Sequence, residues 1–191
     1  MRTMILDTST IFLYVAFLED ENVLYEKIIE GKNNHSEHFL ETIRAGLKDT
    51  NLEAQDFDRF AVGIGPGSYT GLRISLTVAK MLAWTLKKPL DIISSLDLLG
   101  SGYLNQDGCY AITSIAKKGH CYGKLIEVKD GIAKTLLDDA FMPREQFMET
   151  IKDHDYKLID ESNFRIDYRN VKGTEVQDIH SLSPNYLRRE L

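Results

Sequence analysis

The sequence predicts an α/β protein made of two blocks, each opening with a three-strand meander and continuing into helices. Three observations carry this. Short apolar runs divided by polar turns fill residues 3–29, and the same arrangement returns over 109–137. A helical stretch follows each set, at 34–48 and at 143–152. Within the first block, Gly65-Pro66-Gly67-Ser68-Tyr69-Thr70-Gly71-Leu72-Arg73-Ile74 forms a glycine-rich bend of the kind that joins a buried strand to a helix.

In order, Thr3–Leu6 is a strand ending in Asp7-Thr8-Ser9, and Ile11–Leu18 and Val23–Ile29 follow around the polar turn Glu19–Asn22. Asn34, with Glu37 three places on, resembles a capping box opening a helix to about Lys48. Phe39, Leu40, Ile43 and Leu47 are its apolar stripe. Arg59–Ile64 and Leu90–Ile93 are buried strands, and Ser94 or Ser95 caps a brief helix ending near Gly100 and Gly102. Composition puts a boundary over Tyr103–Gly108, giving halves 1–104 and 105–191. The second half supplies strands Cys109–Ile115, His120–Val128 and Ile132–Leu137, a helix with Pro143 in its first turn, and a strand at Tyr156–Ile159. Residues 160–180 are polar and mixed, without an assignable period. Pro184–Arg189 is a helix-competent tail, placed to pack back on the first half.

The helix after the glycine bend runs about twenty residues without a breaker, to Pro89. Its apolar residues cover more than half the circumference, whereas a surface helix needs a stripe of only ~100°. Gly71, Ser75, Ala79 and Ala83 form a small-residue line at i, i+4 spacing that admits a close neighbour. Ile74, Val78 and Met81 lie roughly opposite, beside the polar arc of Arg73, Thr77 and Lys80 in which Trp84 is stranded. Such a helix requires cover on two sides.

The chain has 191 residues, 43% hydrophobic and 27% charged, which suits a soluble globular protein with a real core. A net charge of −6 argues against an independent grip on nucleic acid, which needs a clustered basic face. No apolar run approaches the ~20 residues of a membrane span, no signal peptide opens the chain, and a cytoplasmic protein is expected. Cys109 and Cys121, the two cysteines, read as reduced thiols on neighbouring strands.

Several residues invite chemistry. Gly65, Gly67 and Ser68 at a helix N-terminus form a candidate phosphate cradle, yet the Walker lysine is missing and the dinucleotide spacing fails. The alternative is a tight strand-to-helix turn. Asp7, with Thr8 and Ser9, is either a magnesium or phosphate-water ligand at a strand end or a turn residue bonding to its own backbone. His35 and His38 have no third ligand nearby, so interface or structural duty is expected of them and no metal site is predicted.

The two meander-led blocks, with Ile5-Leu6-Asp7-Thr8-Ser9, His35-Ser36-Glu37, the Gly65–Arg73 run, Ala79-Lys80 and Pro184-Asn185-Tyr186-Leu187-Arg188, resemble the TsaB (YeaZ) family. The resemblance is closest over the first hundred residues. It implies an actin/Hsp70/sugar-kinase fold of two ribonuclease-H-like halves, the second reduced here. It also implies a non-catalytic partner of the TsaD-type tRNA threonylcarbamoyltransferase, joined by the TsaE-type ATPase. That complex modifies the adenosine beside the anticodon in tRNAs reading A-starting codons. The chain would form a homodimer when alone and meet tRNA only through the complex. The helices opening at Asn34 and Ser68 would supply the interface, through His35, His38, Phe39, Thr70, Arg73, Ile74, Thr77, Val78 and Met81. No cofactor is required, although ATP or ADP could sit at Asp7, Thr8, Ser9, Gly65, Gly67 and Ser68 or at the partner interface.

The sequence departs from the family where an Asp-Ala-Arg motif is expected. The stretch reads Ile115-Ala116-Lys117-Lys118-Gly119-His120, with Ile115 at the acid. Two competing readings stand beside the subunit reading. An active actin-fold ATPase or phosphotransferase would use Asp7 and the Gly65–Ser68 loop, but usually needs an acidic phosphate loop from each half. A peptidase has neither a Ser-His-Asp set nor a metal-binding histidine pair in this sequence.

Overall fold

The computed structural model describes residues 1–30 and 35–187, with residues 35–37 described by backbone alone. Chain contacts gather into two compact units, Met1–Ile93 with Gly173–Pro184, and Ser94–Lys172 with the described residues from Asn185 to Leu187.

In the first unit, strands β1 (Arg2–Asp7), β2 (Phe12–Glu19) and β3 (Asn22–Glu30) form an antiparallel meander. Strands β4 (Arg59–Gly63) and β5 (Leu90–Ile93) continue it in parallel from β1. A two-residue strand, Thr174–Glu175, called β10 because four strands of the second unit precede it, closes the sheet against β5. The order is β10-β5-β4-β1-β2-β3. Helix α1 (His35–Thr50) packs on β2 and β3, and helix α2 (Tyr69–Leu86) on β4, β1 and β5. Alternation along the strands sends Met4, Leu6, Val15, Phe17 and Val62 into the core shared with Phe39 and Leu76. Phe57 meets Phe17 edge to face at 4.9 Å.

In the second unit, β6 (Gly108–Ile115), β7 (His120–Lys129) and β8 (Ile132–Pro143) repeat the meander, and β9 (Lys157–Ile159) lies parallel to β6. The order β8-β7-β6-β9 matches β3-β2-β1-β4 of the first unit. That repeated order is the ribonuclease-H-like layer of an actin-like fold, and the second copy ends at β9, the counterpart of β4. Helix α4 (Arg144–Ile151) lays Phe147 and Ile151 on Ala111, Cys121 and Leu125. Gly123 admits it, because a Cβ there would stand 2.4 Å from the Phe147 ring. Helix α3 (Ser95–Gly100) covers β6 by the approach of Gly100 to Ile112.

The compact units differ from the expected halves. The division falls after Ile93 and not after residue 104, because α3 packs on β6 and so goes with the second unit. The segment that returns to the first unit is Gly173–Pro184, earlier in the chain than the tail expected to do so. Pro184–Leu187 is not helical; the rest of that tail lies outside the described residues, as does the Asn34 cap. Cys109 and Cys121 are free thiols on adjacent strands, opposite Glu127 and Ile115, and burial pushes both above the usual thiol range.

Candidate functional site: the outer face of α1 and α2

The small-residue line of α2 points inward. Gly71, Ser75, Ala79 and Ala83 are buried with Leu72 and Leu76, so the close neighbour it admits is the first unit's own sheet. At Gly71 the approach is backbone on backbone: a Cβ would stand 1.9 Å from the Thr8 carbonyl oxygen. The Thr8 hydroxyl donates to the Gly71 carbonyl at 2.6 Å and accepts from Ser75 N–H at 3.2 Å, fastening the first turn of α2 to the end of β1.

The candidate phosphate cradle is occupied by its own chain. The Asp7 carboxylate accepts from Ser9 N–H at 2.7 Å, the turn-residue role. Ser68 N–H donates to the Ser9 carbonyl at 2.6 Å, and the Ser68 hydroxyl accepts from Gly71 N–H at 3.3 Å as the N-cap of α2. A Cβ at Gly67 would stand 2.2 Å from the Ser9 oxygen. Gly65 takes φ 103°, in the region that favours glycine. Asp7, Thr8 and Ser9, all buried, are thus brought against Gly65, half-buried Gly67 and exposed Ser68; the Ser9 hydroxyl is a buried oxygen of this cluster that lacks a hydrogen-bond partner.

The interface candidates converge elsewhere, on the outer side of α2 and the adjoining side of α1. An open groove of about 460 Å³ between the two helices is lined by Phe39, Leu40, Tyr69, Thr70, Arg73, Ile74, Thr77 and Val78. Phe39 is fully buried and forms its floor rather than an accessible contact. Met81, 55% exposed, continues the same face of α2, and His38 is an exposed neighbour on α1 whose Nδ1 lies 3.6 Å from Glu41. The His35 side chain lies outside the described residues. The Arg73 guanidinium sits 4.0 Å above the Tyr69 ring, which holds a cation and an aromatic ready at the rim.

Sequence reasoning missed two groove residues. Leu40, expected in the buried stripe of α1, is 46% exposed, because it lies 100° round the helix from Phe39, which with Ile43 takes the core side. Tyr69 precedes the first inward residue of α2 and is 49% exposed.

The far flank of α2 is covered by the returning segment, in the stretch that gave no sequence signal. Val176, Ile179 and Leu182 pack on the core, and Lys80 Nζ donates to the carbonyls of His180 and Leu182 at 3.2 and 2.8 Å. Trp84 meets the His180 ring edge-on at 4.1 Å. Arg59 bridges Asp91 on β5 and Glu175 on β10 at 2.8 and 3.1 Å, holding the segment's start; burial pushes the Asp91 carboxyl up despite the arginine. One flank of α2 therefore has cover from its own chain, and among the described residues the groove flank is open.

In the second unit, Ile115 stands 65% exposed at the end of β6, and its N–H donates to the Glu161 carboxylate. Among the described residues, no three His, Cys, Asp or Glu side chains are grouped to hold a metal ion. No helix there is long and apolar enough to cross a membrane.

Comparison with known proteins bears on the fold and the family. The family TsaD, tRNA N6-adenosine threonylcarbamoyltransferase, matches residues 22–177. The tRNA threonylcarbamoyladenosine biosynthesis protein TsaB of Bacillus subtilis is 30% identical over an alignment covering 98% of this chain and 94% of that protein. A tRNA N6-adenosine threonylcarbamoyltransferase of Bifidobacterium adolescentis is 30% identical over 66% of this chain and 39% of its own length. The solved structure of YeaZ from Pseudomonas aeruginosa superposes with a TM-score of 0.77 at 20% identity, covering 97% of this chain and 99% of that one. With a two-unit fold shared with YeaZ and near full-length similarity to TsaB, the chain belongs to the TsaB (YeaZ) family.

Proposed function

We propose that this chain is a non-catalytic scaffold subunit for threonylcarbamoyl modification of the adenosine beside the anticodon in tRNAs that read A-starting codons. It binds and organises a TsaD-type transferase through the outer face of α1 and α2, with a TsaE-type ATPase joining the assembly in the cytoplasm, and pairs with itself when alone. The observation that carries the reading is the open groove between α1 and α2, rimmed by Leu40, Tyr69, Arg73 and Ile74 and continued along α2 by Met81. An apolar face with an aromatic and an arginine at its rim has the composition of a protein-binding hot spot.

The Asp7–Ser9 and Gly65–Ser68 segments support a non-catalytic role, since their packing on one another gives the first turn of α2 an internal partner. Any ATP or ADP in the assembly would, on this reading, sit where the partner contributes to the site. Contact with tRNA is assigned to the partner, in keeping with the net charge of −6.

The test is co-purification with the cognate TsaD-type subunit, followed by a threonylcarbamoylation assay with and without this chain. A stable complex and modification that depends on the chain are expected; no complex and an unchanged yield would end the proposal. The isolated chain should neither turn over ATP nor bind tRNA tightly. ATP turnover abolished by Asp7→Ala, or sub-micromolar tRNA affinity with a steep salt slope, would each overturn it.

A further inference from the structure

A buried group of charges in the second unit has no part in the α1–α2 face. Lys124, in the middle of β7, is 6% exposed, and its Nζ lies 2.6 Å from Asp97 Oδ1 on α3 and 3.6 Å from Asp139 Oδ1 on β8. The Ser94 hydroxyl donates to the same Asp139 oxygen at 2.9 Å while its Oγ caps α3 by accepting from Asp97 N–H. Lysine is rarely buried this far unless paired, because desolvating an ammonium is costly.

The local backbone is arranged for this contact. Gly123 pairs with Ala140 and Leu125 with Leu137, so Lys124 alone stands opposite both Asp138 and Asp139. That is a β-bulge, a device that re-aims a side chain. Here it leaves Asp138 exposed and directs Asp139 to Lys124 and Ser94. Across the other edge of β7, Lys124 stands opposite apolar Ile112, the residue on which α3 closes through Gly100.

We propose that Lys124 is a tethered counter-ion that latches α3 onto the sheet of the second unit. Its ammonium joins the carboxylate of the helix to that of the bulge, and its removal makes the docking of α3 depend on protonation. The six-residue helix buries Leu96, Leu98 and Leu99, and at its far end the Leu99 carbonyl accepts from Arg165 N–H at 3.2 Å; the Lys124 contacts act at its first turn. The paired charges fix the start of the helix against β7 and β8.

The titratable groups that meet here are Asp97 from α3, Lys124 from β7 and Asp139 from β8; β6 offers none at the contact. Burial already raises the Asp139 carboxyl, against the pull of Lys124 and Ser94. Without the ammonium, the Asp139 carboxyl loses the charge that opposes its burial and is driven further up. A carboxyl raised in the folded state binds its proton more tightly there than in the unfolded chain. Its folded form therefore gains stability as pH falls through the raised value and loses it as pH rises.

The experiment is Lys124→Met in the full chain, with thermal unfolding and amide exchange of Leu96–Leu99 at pH 7.5 and pH 5. At pH 7.5 the unfolding midpoint should fall by about 10 °C, the scale of a broken buried pair in a chain of this size. Exchange in α3 should quicken more than in β6 and β7, and both deficits should shrink at pH 5. A midpoint and α3 protection like the parent's would overturn the proposal, as would a loss of the same size at both pH values. If Lys124→Met does not fold at pH 7.5, folding at pH 5 supports the latch and failure at both pH values refutes it.

Discussion

Leu72→Glu is expected to abolish the folded state at neutral pH. Leu72 is 1% exposed, on the side of α2 that carries Gly71, Ser75 and Leu76 into the sheet. Losing the leucine contacts alone costs about 2–5 kcal/mol, as for a leucine-to-alanine change. The carboxylate must then be neutralised to stay inside. A glutamate whose pKa is driven to ~7–8 adds about 4 kcal/mol at pH 7 and above, at 1.36 kcal/mol per unit. Together these approach or exceed the ~5–15 kcal/mol that holds a domain folded. The raised acid also sets the direction of any recovery: stability should return in part as pH falls, never as it rises. Circular dichroism at pH 7.5 and pH 5 reads both effects. A cooperative, parent-like unfolding transition at pH 7.5 would show that α2 does not face the sheet as described.

How much of this was legible beforehand depended on whether a signal was local. The meanders were legible because strand alternation and turn residues occur within ten residues of each other, and the strand–bend–helix around Gly65–Leu72 for the same reason. That one side of α2 carries small residues was also legible. Which side meets the sheet was not, because periodicity gives angles and no origin. The returning segment was illegible: β10 has two residues, and Val176, Ile179 and Leu182 sit at intervals of three in an otherwise polar stretch. Its support comes from Lys80, Trp84 and Arg59, which precede it by a hundred residues or so. The buried cluster of Asp97, Lys124 and Asp139 was hidden likewise, since lysine and aspartate in those positions read as ordinary surface residues until the bulge in β8 brings them together. The misplaced boundary had a compositional cause: the glycines at 100 and 102 look like a linker, yet they allow close packing, Gly100 on Ile112 and Gly102 on Arg165.

Ile74→Glu should leave a folded chain that no longer associates, with itself or with the TsaD-type subunit. Ile74 is half-buried in the groove and touches the core only at its edge, so the new carboxylate can swing into solvent in the free protein. Covering the groove with a partner removes that escape. An interfacial charge without a counter-charge then costs about 2–5 kcal/mol, which weakens binding roughly thirty- to several-thousand-fold. Arg73 is the nearest candidate rescuer on the same helix, but its guanidinium is engaged with the Tyr69 ring. Met81→Glu provides the control for folding, because Met81 is more than half exposed and its substitution disturbs no core contact. Both variants should keep the parent's circular dichroism and unfolding transition and, on the proposed reading, lose self-association in light scattering and retention of the TsaD-type subunit in a pull-down. Association is expected to fall further for Ile74→Glu, whose side chain lines the groove, than for Met81→Glu, one turn beyond its end. If both variants fold and both bind like the parent, the outer face of α2 is not the surface through which this chain acts.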